Sequence, residues 1–269
     1  MKKIISLIVI VLFFIHCSTV PITGRKQFNI VKDENVLPAS FAQYRGFLEK
    51  NTLSNNQSAT IMIKDIGSNI SAAVDRFMRN NNMLKEADSY QWEFNLVEDK
   101  TINAWCLPGG KVVFYSGILP ICKNEDGVAA VMGHEVAHAF AKHGQERMSQ
   151  GQLQAIGGVA VALGTMGKEE DTQLIWNLAY GVGSNVGMLA FSRKHEKEAD
   201  KLGLVFMIMA GYDGKEAAEV WVRMSEKTAG GGGPKILRTH PTNEDRIKTL
   251  RAYLPEANRL AAKYNAQSK

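Results

Sequence analysis

GHEVAHAFAKHG, residues 133–144, decides how the rest of the chain is read. His134 and His138 are four residues apart, so on a helix of about 3.6 residues per turn their directions differ by only about 40° and both imidazoles can reach one ion. Glu135 points roughly 100° away from His134, outside the coordination sphere yet toward a water bound there. A zinc ion takes neutral imidazoles and lowers the pKa of its water toward ~7, and a carboxylate at this position can accept that proton and pass it to a leaving amine. The same pattern also arises by chance on surface helices, so a third ligand must be sought elsewhere. His143, five residues after His138 and about 140° off the ligand face, reads as a structural or surface residue. Asn124 is the expected cap of this helix, with Glu125 and Asp126 suiting its dipole, and Gly144 its expected end.

SRKHEKEADKLG, residues 192–203, supplies the candidates His195, Glu196, Glu198 and Asp200. Glu196 and Asp200 are i and i+4 on one helix face, so one can bind metal while the other holds a ligand histidine by its distal N–H. His195 has Ala199 as its same-face neighbour, and Glu198 has Lys194 and Leu202. That leaves Glu196 as third ligand and Asp200 as its orienting partner. Ser192 caps this helix, which runs to about Ala210 and stops at Gly211.

Around these two helices the pattern is α+β and mostly helical. Apolar residues over 33–81 follow helical spacing with a break near 51–58, which predicts two helices. Trp92–Val97 alternates, and Lys111–Tyr115 is a β-rich run after the turn signal Pro108-Gly109-Gly110, so a small sheet lies beside the metal-binding helix. Lys111, Val112, Val113 and Phe114 are expected to accept an extended substrate as an added strand, with loose sequence preference. Trp105, Phe114 and Tyr115 read as core or cleft wall. Residues 152–190 are rich in Gly, Ala and Val and read as closely packed helices, with a charged interruption at 167–171 that makes neither half a good membrane span. AGGGGP at 229–234 is a flexible loop, either a plain connector or a lid beside a cleft. No internal repeat of solenoid period is present.

With 269 residues, 45% hydrophobic and 22% charged, the chain is globular, and a net charge of +5 spread along its length gives no nucleic-acid surface. The start, MKKIISLIVIVLFFIHCS, has Lys2 and Lys3 and then an apolar run from Ile4 to Ile15. That run reaches roughly 18 Å, short of the ~30 Å hydrocarbon core, and reads as a cleaved signal peptide over 1–16. Cleavage before Cys17, with lipid added to its thiol and new amino terminus, is how bacterial lipoprotein signals end. His16 departs from the small residue usual there, and a plain secretory signal or an uncleaved anchor are the alternatives. Without Lys2 and Lys3 the formal charge falls from +5 to +3. Residues 17–52 read as an N-terminal extension and linker, and 53–269 as the catalytic domain. Cys106 and Cys122 either pair in an oxidising compartment or stay as buried thiols.

HEVAH followed by EKEAD, with NAWCLPGGKVVFYSGIL before and THPTNEDR after, resembles peptidase family M48. The segment STVPITGRKQF, residues 18–28, resembles the lipoprotein and mitochondrial Oma-like branch of that family. The resemblance implies a zincin-like (gluzincin) metalloendopeptidase with one Zn²⁺ per chain, held by His134, His138 and Glu196, with Glu135 as base and Asp200 orienting a ligand. It also implies that His240 and Arg246 approach the site from the C-terminal part. Either can then supply the cation that stabilises the oxyanion of the transition state. Alternatively, His240, held in extended geometry by Pro241 and carried on the Gly-rich loop, can latch the open fourth position of the metal. The multiple membrane spans of the family's CAAX prenyl endopeptidases and a helical-repeat extension are missing, which argues against prenylated substrates and a built-in partner module. The expected protein is a lipoprotein of the bacterial envelope, facing the periplasm from the outer membrane. It would hydrolyse unfolded or misfolded envelope proteins near the outer-membrane assembly machinery. Rival readings are a catalytically silent zincin scaffold acting as a chaperone, and a zinc hydrolase of non-peptide amides. Glu135 argues against the first, since a structural zinc has no use for a base.

Overall fold

The computed structural model of the chain describes residues 17–159, 192–227, 234–240 and 244–267. Residues 1–16, expected to be a signal peptide, most of the small-residue stretch and nearly all of the Gly-rich loop lie outside the described residues. The chain enters on a two-stranded antiparallel hairpin, β1 (Cys17–Thr19) and β2 (Lys26–Phe28). Helical spacing over 33–81 produces two helices, α1 (Asp33–Lys50) and α2 (Gln57–Asn80). The Asn56 side chain caps α2 by accepting the Ala59 N–H, and Ile63, Ile66, Ile70, Val74 and Phe77 form its buried stripe.

After α3 (Leu84–Ser89) comes a three-stranded sheet of β3 (Glu93–Val97), β4 (Ala104–Leu107) and β5 (Lys111–Tyr115), in the order β3-β5-β4. β3 runs parallel to β5, with Leu96 opposite Phe114, and β4 runs antiparallel, with Trp105 opposite Val113. Gly109 (φ 80°) and Gly110 (φ 86°) make the β4–β5 turn in the left-handed region that favours glycine. This order corrects the expected substrate strand. Lys111–Phe114 belong to the central strand, whose backbone is paired on both sides, so no further strand can add to it. β3 and β4 are the edge strands, and β4 lies against the helix that carries HEVAH.

That helix follows α4 (Leu119–Cys122) and is α5 (Glu125–Phe140), capped as expected by Asn124, which accepts the Gly127 N–H. It ends earlier than Gly144: Lys142 takes φ 54° beyond Phe140, and Gly144 falls in the first turn of α6 (His143–Val159). α7 (Arg193–Met209) starts at Ser192, which accepts the His195 N–H, and stops before Gly211 at φ 97°. α8 (Glu216–Glu226), α9 (Ile236–Thr239) and α10 (Glu244–Ala266) follow. α5 and α7 cross backbone to backbone at Gly133 and Gly203, where a Cβ on Gly133 would stand 2.7 Å from the Gly203 carbonyl oxygen. This close approach sets His134 and Glu196 side by side.

α10 packs along α7, and Phe77, Phe140 and Phe206 meet in the core, with edge-to-face contact of Phe140 on both Phe77 and Phe206. Residues 17–52 pack into the same body instead of forming a linker: Tyr44 is buried against Trp105 and Val36 against Met148. Cys106 and Cys122 are buried and unpaired. Among the described residues no helix is long and apolar enough to cross a membrane.

Candidate metal centre

Three elements bring four donors together. α5 contributes His134 and His138, α7 contributes Glu196, and His240 stands at the C-terminal cap of α9. His134 Nε2 and His138 Nε2 are 3.1 Å apart, and Glu196 Oε2 and Oε1 lie 3.5 and 3.4 Å from them. His240 Nδ1 is 3.1 Å from Glu196 Oε1 and 3.3 Å from His134 Nε2. All four residues are buried, and their donor atoms lie within 4.8 Å of one another. Zinc–ligand bonds of about 2.0–2.1 Å in a tetrahedron put neighbouring donors about 3.3–3.4 Å apart, so this donor set fits such an ion.

The protonation pattern also fits. His134 Nδ1 lies 3.1 Å from Asp200 Oδ1, which places the ring proton there and turns the Nε2 lone pair to the cluster. Burial holds His138 well below the usual imidazole range, so it is neutral as a ligand must be. Burial opposes charge on Glu196, but His240 and Arg246 outweigh it and hold the carboxyl well below the ordinary range. Glu135, beside the cluster and buried, has its Oε1 3.7 Å from His240 Nε2. Burial pushes its carboxyl up to about 7, against the pull of His240 and Arg246, which suits a base working near neutrality.

Arg246 has a different place from the expected oxyanion partner. Its Nε and one terminal nitrogen donate to the two oxygens of Asp200 at 2.8 and 2.7 Å, and the other terminal nitrogen is 2.8 Å from Glu196 Oε2. That same nitrogen donates to the His240 carbonyl at 3.4 Å, and the guanidinium lies 4.4 Å from the Trp221 ring centre. Its nitrogens are thus engaged by Asp200, Glu196 and the His240 carbonyl, inside the cluster. Asp200, expected to hold a ligand histidine, lies between Arg246 and His134 Nδ1.

Spacing along α7 missed the partners of Glu198 and His195, because these come from other elements. Glu198 meets His143 of α6 and Arg25 beside β2, and His195 Nε2 is 3.0 Å from Glu146. His143 is fully buried, with Nδ1 2.9 Å from His138 Nδ1, so of its two expected readings the structural one holds. A clue was present in the sequence: GRKQF and HGQER put a cation, a histidine and a carboxylate in short polar runs beside otherwise apolar segments.

The comparisons agree with this geometry. The family model described as Peptidase family M48 matches residues 67–254. The mitochondrial metalloendopeptidase OMA1 of Schizosaccharomyces pombe is 33% identical over 254 residues, covering 92% of this chain and 69% of that protein. Its namesake in Saccharomyces cerevisiae is 31% identical, over 92% of this chain and 72% of that protein. The beta-barrel assembly-enhancing protease of Escherichia coli is 29% identical over 167 residues, covering 60% of this chain and 34% of that protein. With the matched region enclosing both metal helices and Arg246, the chain belongs to peptidase family M48 and is a metalloendopeptidase.

Proposed function

We propose that this protein is a membrane-anchored zinc endopeptidase that cleaves unfolded or misassembled proteins of the cell envelope. The observation that carries the chemistry is the buried set His134, His138, Glu196 and His240 with Glu135 beside it. A zinc ion held by His134, His138 and Glu196 would supply Lewis acidity to an attacking water and to the scissile carbonyl. Glu135 takes a proton from that water and returns it to the leaving nitrogen. Asp200 and Arg246 keep His134 and Glu196 in place during the reaction. His240, within reach of the same donors, holds the fourth position as a latch that must swing away before substrate enters.

An extended polypeptide fits along the free edge of β4, Ala104–Leu107, where main-chain hydrogen bonds give affinity with little demand on side chains. Just upstream, the Ile236 N–H donates to the Ile102 carbonyl, so the segment that carries His240 leans on the start of this edge. The lipid anchor at Cys17 rests on the signal-like sequence before it, and a periplasmic place rests on that same signal. Similarity to a β-barrel assembly-enhancing protease supports work near outer-membrane assembly.

The test is cleavage of an unfolded protein by the zinc-loaded chain and by Glu135→Gln in parallel. Wild type should cleave at several unrelated sites, and Glu135→Gln should keep its zinc and lose cleavage. Equal cleavage by both would sink the assignment.

A further inference from the structure

Behind the metal cluster lies a run of buried polar side chains that the reaction does not use: His143, Glu198, Glu146, His195 and the half-buried Arg25. Burying so many polar groups is costly unless each is partnered, and here the partners form a line. His138 turns Nε2 to the cluster, so its proton sits on Nδ1, 2.9 Å from His143 Nδ1. One donor needs one acceptor, so His143 accepts at Nδ1 and carries its own proton on Nε2. That proton goes to Glu198 Oε2 at 2.9 Å. Glu198 also accepts from Arg25 Nε at 2.5 Å and from the Thr23 hydroxyl. The terminal nitrogens of Arg25 donate to Glu146 at 3.0 and 2.8 Å and to Gln27 at 3.3 Å. Every donor in this line has one direction.

We infer that His143, Glu198 and Arg25 are positioning residues for His138, so that the N-terminal hairpin is a working part of the metal site. This rests on the reading of His134, His138 and Glu196 as metal ligands. Arg25 and Thr23 fix the Glu198 carboxylate, Glu198 fixes the tautomer of His143, and His143 holds the His138 ring with its lone pair aimed at the metal. Docking of the hairpin and loading of the metal are then coupled, and linkage makes the coupling reciprocal: metal holds the hairpin down, and a loosened hairpin weakens the metal. Cys17, the proposed anchor, pairs with Phe28 at the open end of this hairpin, and Thr23 and Arg25 stand at its turn end.

The experiment measures zinc affinity of the full chain by chelator competition, with wild type, His143→Leu, His143→Asn and Arg25→Met. Thermal unfolding of each metal-free protein serves as a control for folding. His143→Leu and Arg25→Met should weaken zinc about 10–100-fold, the usual effect of removing a ligand's hydrogen-bond partner. His143→Asn places an amide oxygen where Nδ1 stood, keeps an acceptor for His138, and should recover most of the loss. In wild type, zinc should increase hydrogen-exchange protection of residues 17–28, and in His143→Leu it should not. Affinity within twofold of wild type for folded His143→Leu, or His143→Asn no better than His143→Leu, overturns the inference while leaving the metal site standing. Wild type that takes up no zinc overturns the metal reading itself. Should Arg25→Met fail to fold, the contrast between Leu and Asn at residue 143 decides alone.

Discussion

Replacing Gly203 with alanine probes the crossing that builds the site. On helix propensity alone an alanine inside α7 would gain about 0.5–1 kcal/mol. Its Cβ, however, would stand 2.8 Å from both the Gly133 carbonyl carbon and the His134 amide nitrogen, and 2.9 Å from the Gly133 oxygen. Favourable carbon contacts begin near ~3.5 Å, so α5 and α7 would have to part by roughly 0.7 Å. The obstructing atoms are helix backbone, and no change of rotamer relieves them. Overpacking costs about 1–3 kcal/mol, and where backbone meets backbone the upper part of that range, about 2–3 kcal/mol, applies; less the propensity gain this leaves a net loss of about 1–2.5 kcal/mol. For a domain of this size that lowers Tm by about 2–10 °C. The displaced backbone includes the His134 amide, and Glu196 lies about two turns before Gly203 on the same helix. Zinc affinity should therefore fall along with stability. Thermal unfolding of metal-free and zinc-loaded protein, with chelator competition, measures both. A Gly203→Ala protein at least as stable as wild type with unchanged zinc affinity would refute the reasoning.

Three further outcomes are expected. His240→Ala should raise cleavage of an unfolded protein at unchanged zinc content, whereas a fall in kcat with zinc and fold intact would refute the latch and leave a transition-state donor. Arg246→Met strands two buried carboxylates, so the metal-free protein should lose about 3–5 kcal/mol of stability; unchanged stability with a lower kcat would restore Arg246 as an oxyanion partner. Burial would raise the Glu146 carboxyl, but His195 and Arg25 outweigh it and hold Glu146 at about 2, against an ordinary value of 4.5. A depressed carboxyl contributes stability that is present above its unfolded pKa and lost as pH falls toward its folded one. The Tm of the metal-free protein should therefore drop between about pH 5 and pH 2, and less so in Glu146→Gln. Parallel curves for the two proteins would show that Glu146 contributes nothing.

What could be read from the sequence was what lies within one turn or two of a single helix. His134, Glu135 and His138 share α5, and Glu196 with Asp200 shares one face of α7, so spacing was enough for them. The caps Asn124 and Ser192 are equally local. Relations between elements were not legible in this way. Glu198 had no partner on its own helix and looked idle, yet its partners come from residues 173 and 55 positions away in the chain. The substrate strand failed for a related reason. KVVFY reads as a strand whether it lies at the centre or the edge, and burial does not separate the two, since the edge strand β4 is buried throughout as well.

Charge balance explains why Arg246 turns inward, which spacing could not foresee. Glu135, Glu196 and Asp200 are buried together, and when all three are ionised they carry three negative charges. Arg246 cancels one of them and reaches two of the three carboxylates at once, at 2.8 Å from Glu196 and 2.7 Å from Asp200. Such a density of like charge cannot persist in a buried site without cations, and a divalent ion at the donor set would offset much of what Arg246 leaves. An arginine free to meet an oxyanion would leave Asp200, 3.1 Å from His134 Nδ1, uncompensated. The fork geometry of a guanidinium lets one residue serve both carboxylates, where a lysine would supply a single point of charge. The nitrogens of Arg246 are therefore engaged inside the centre, with Asp200, Glu196 and the His240 carbonyl, and the residue that latches the fourth position is tied to the same guanidinium.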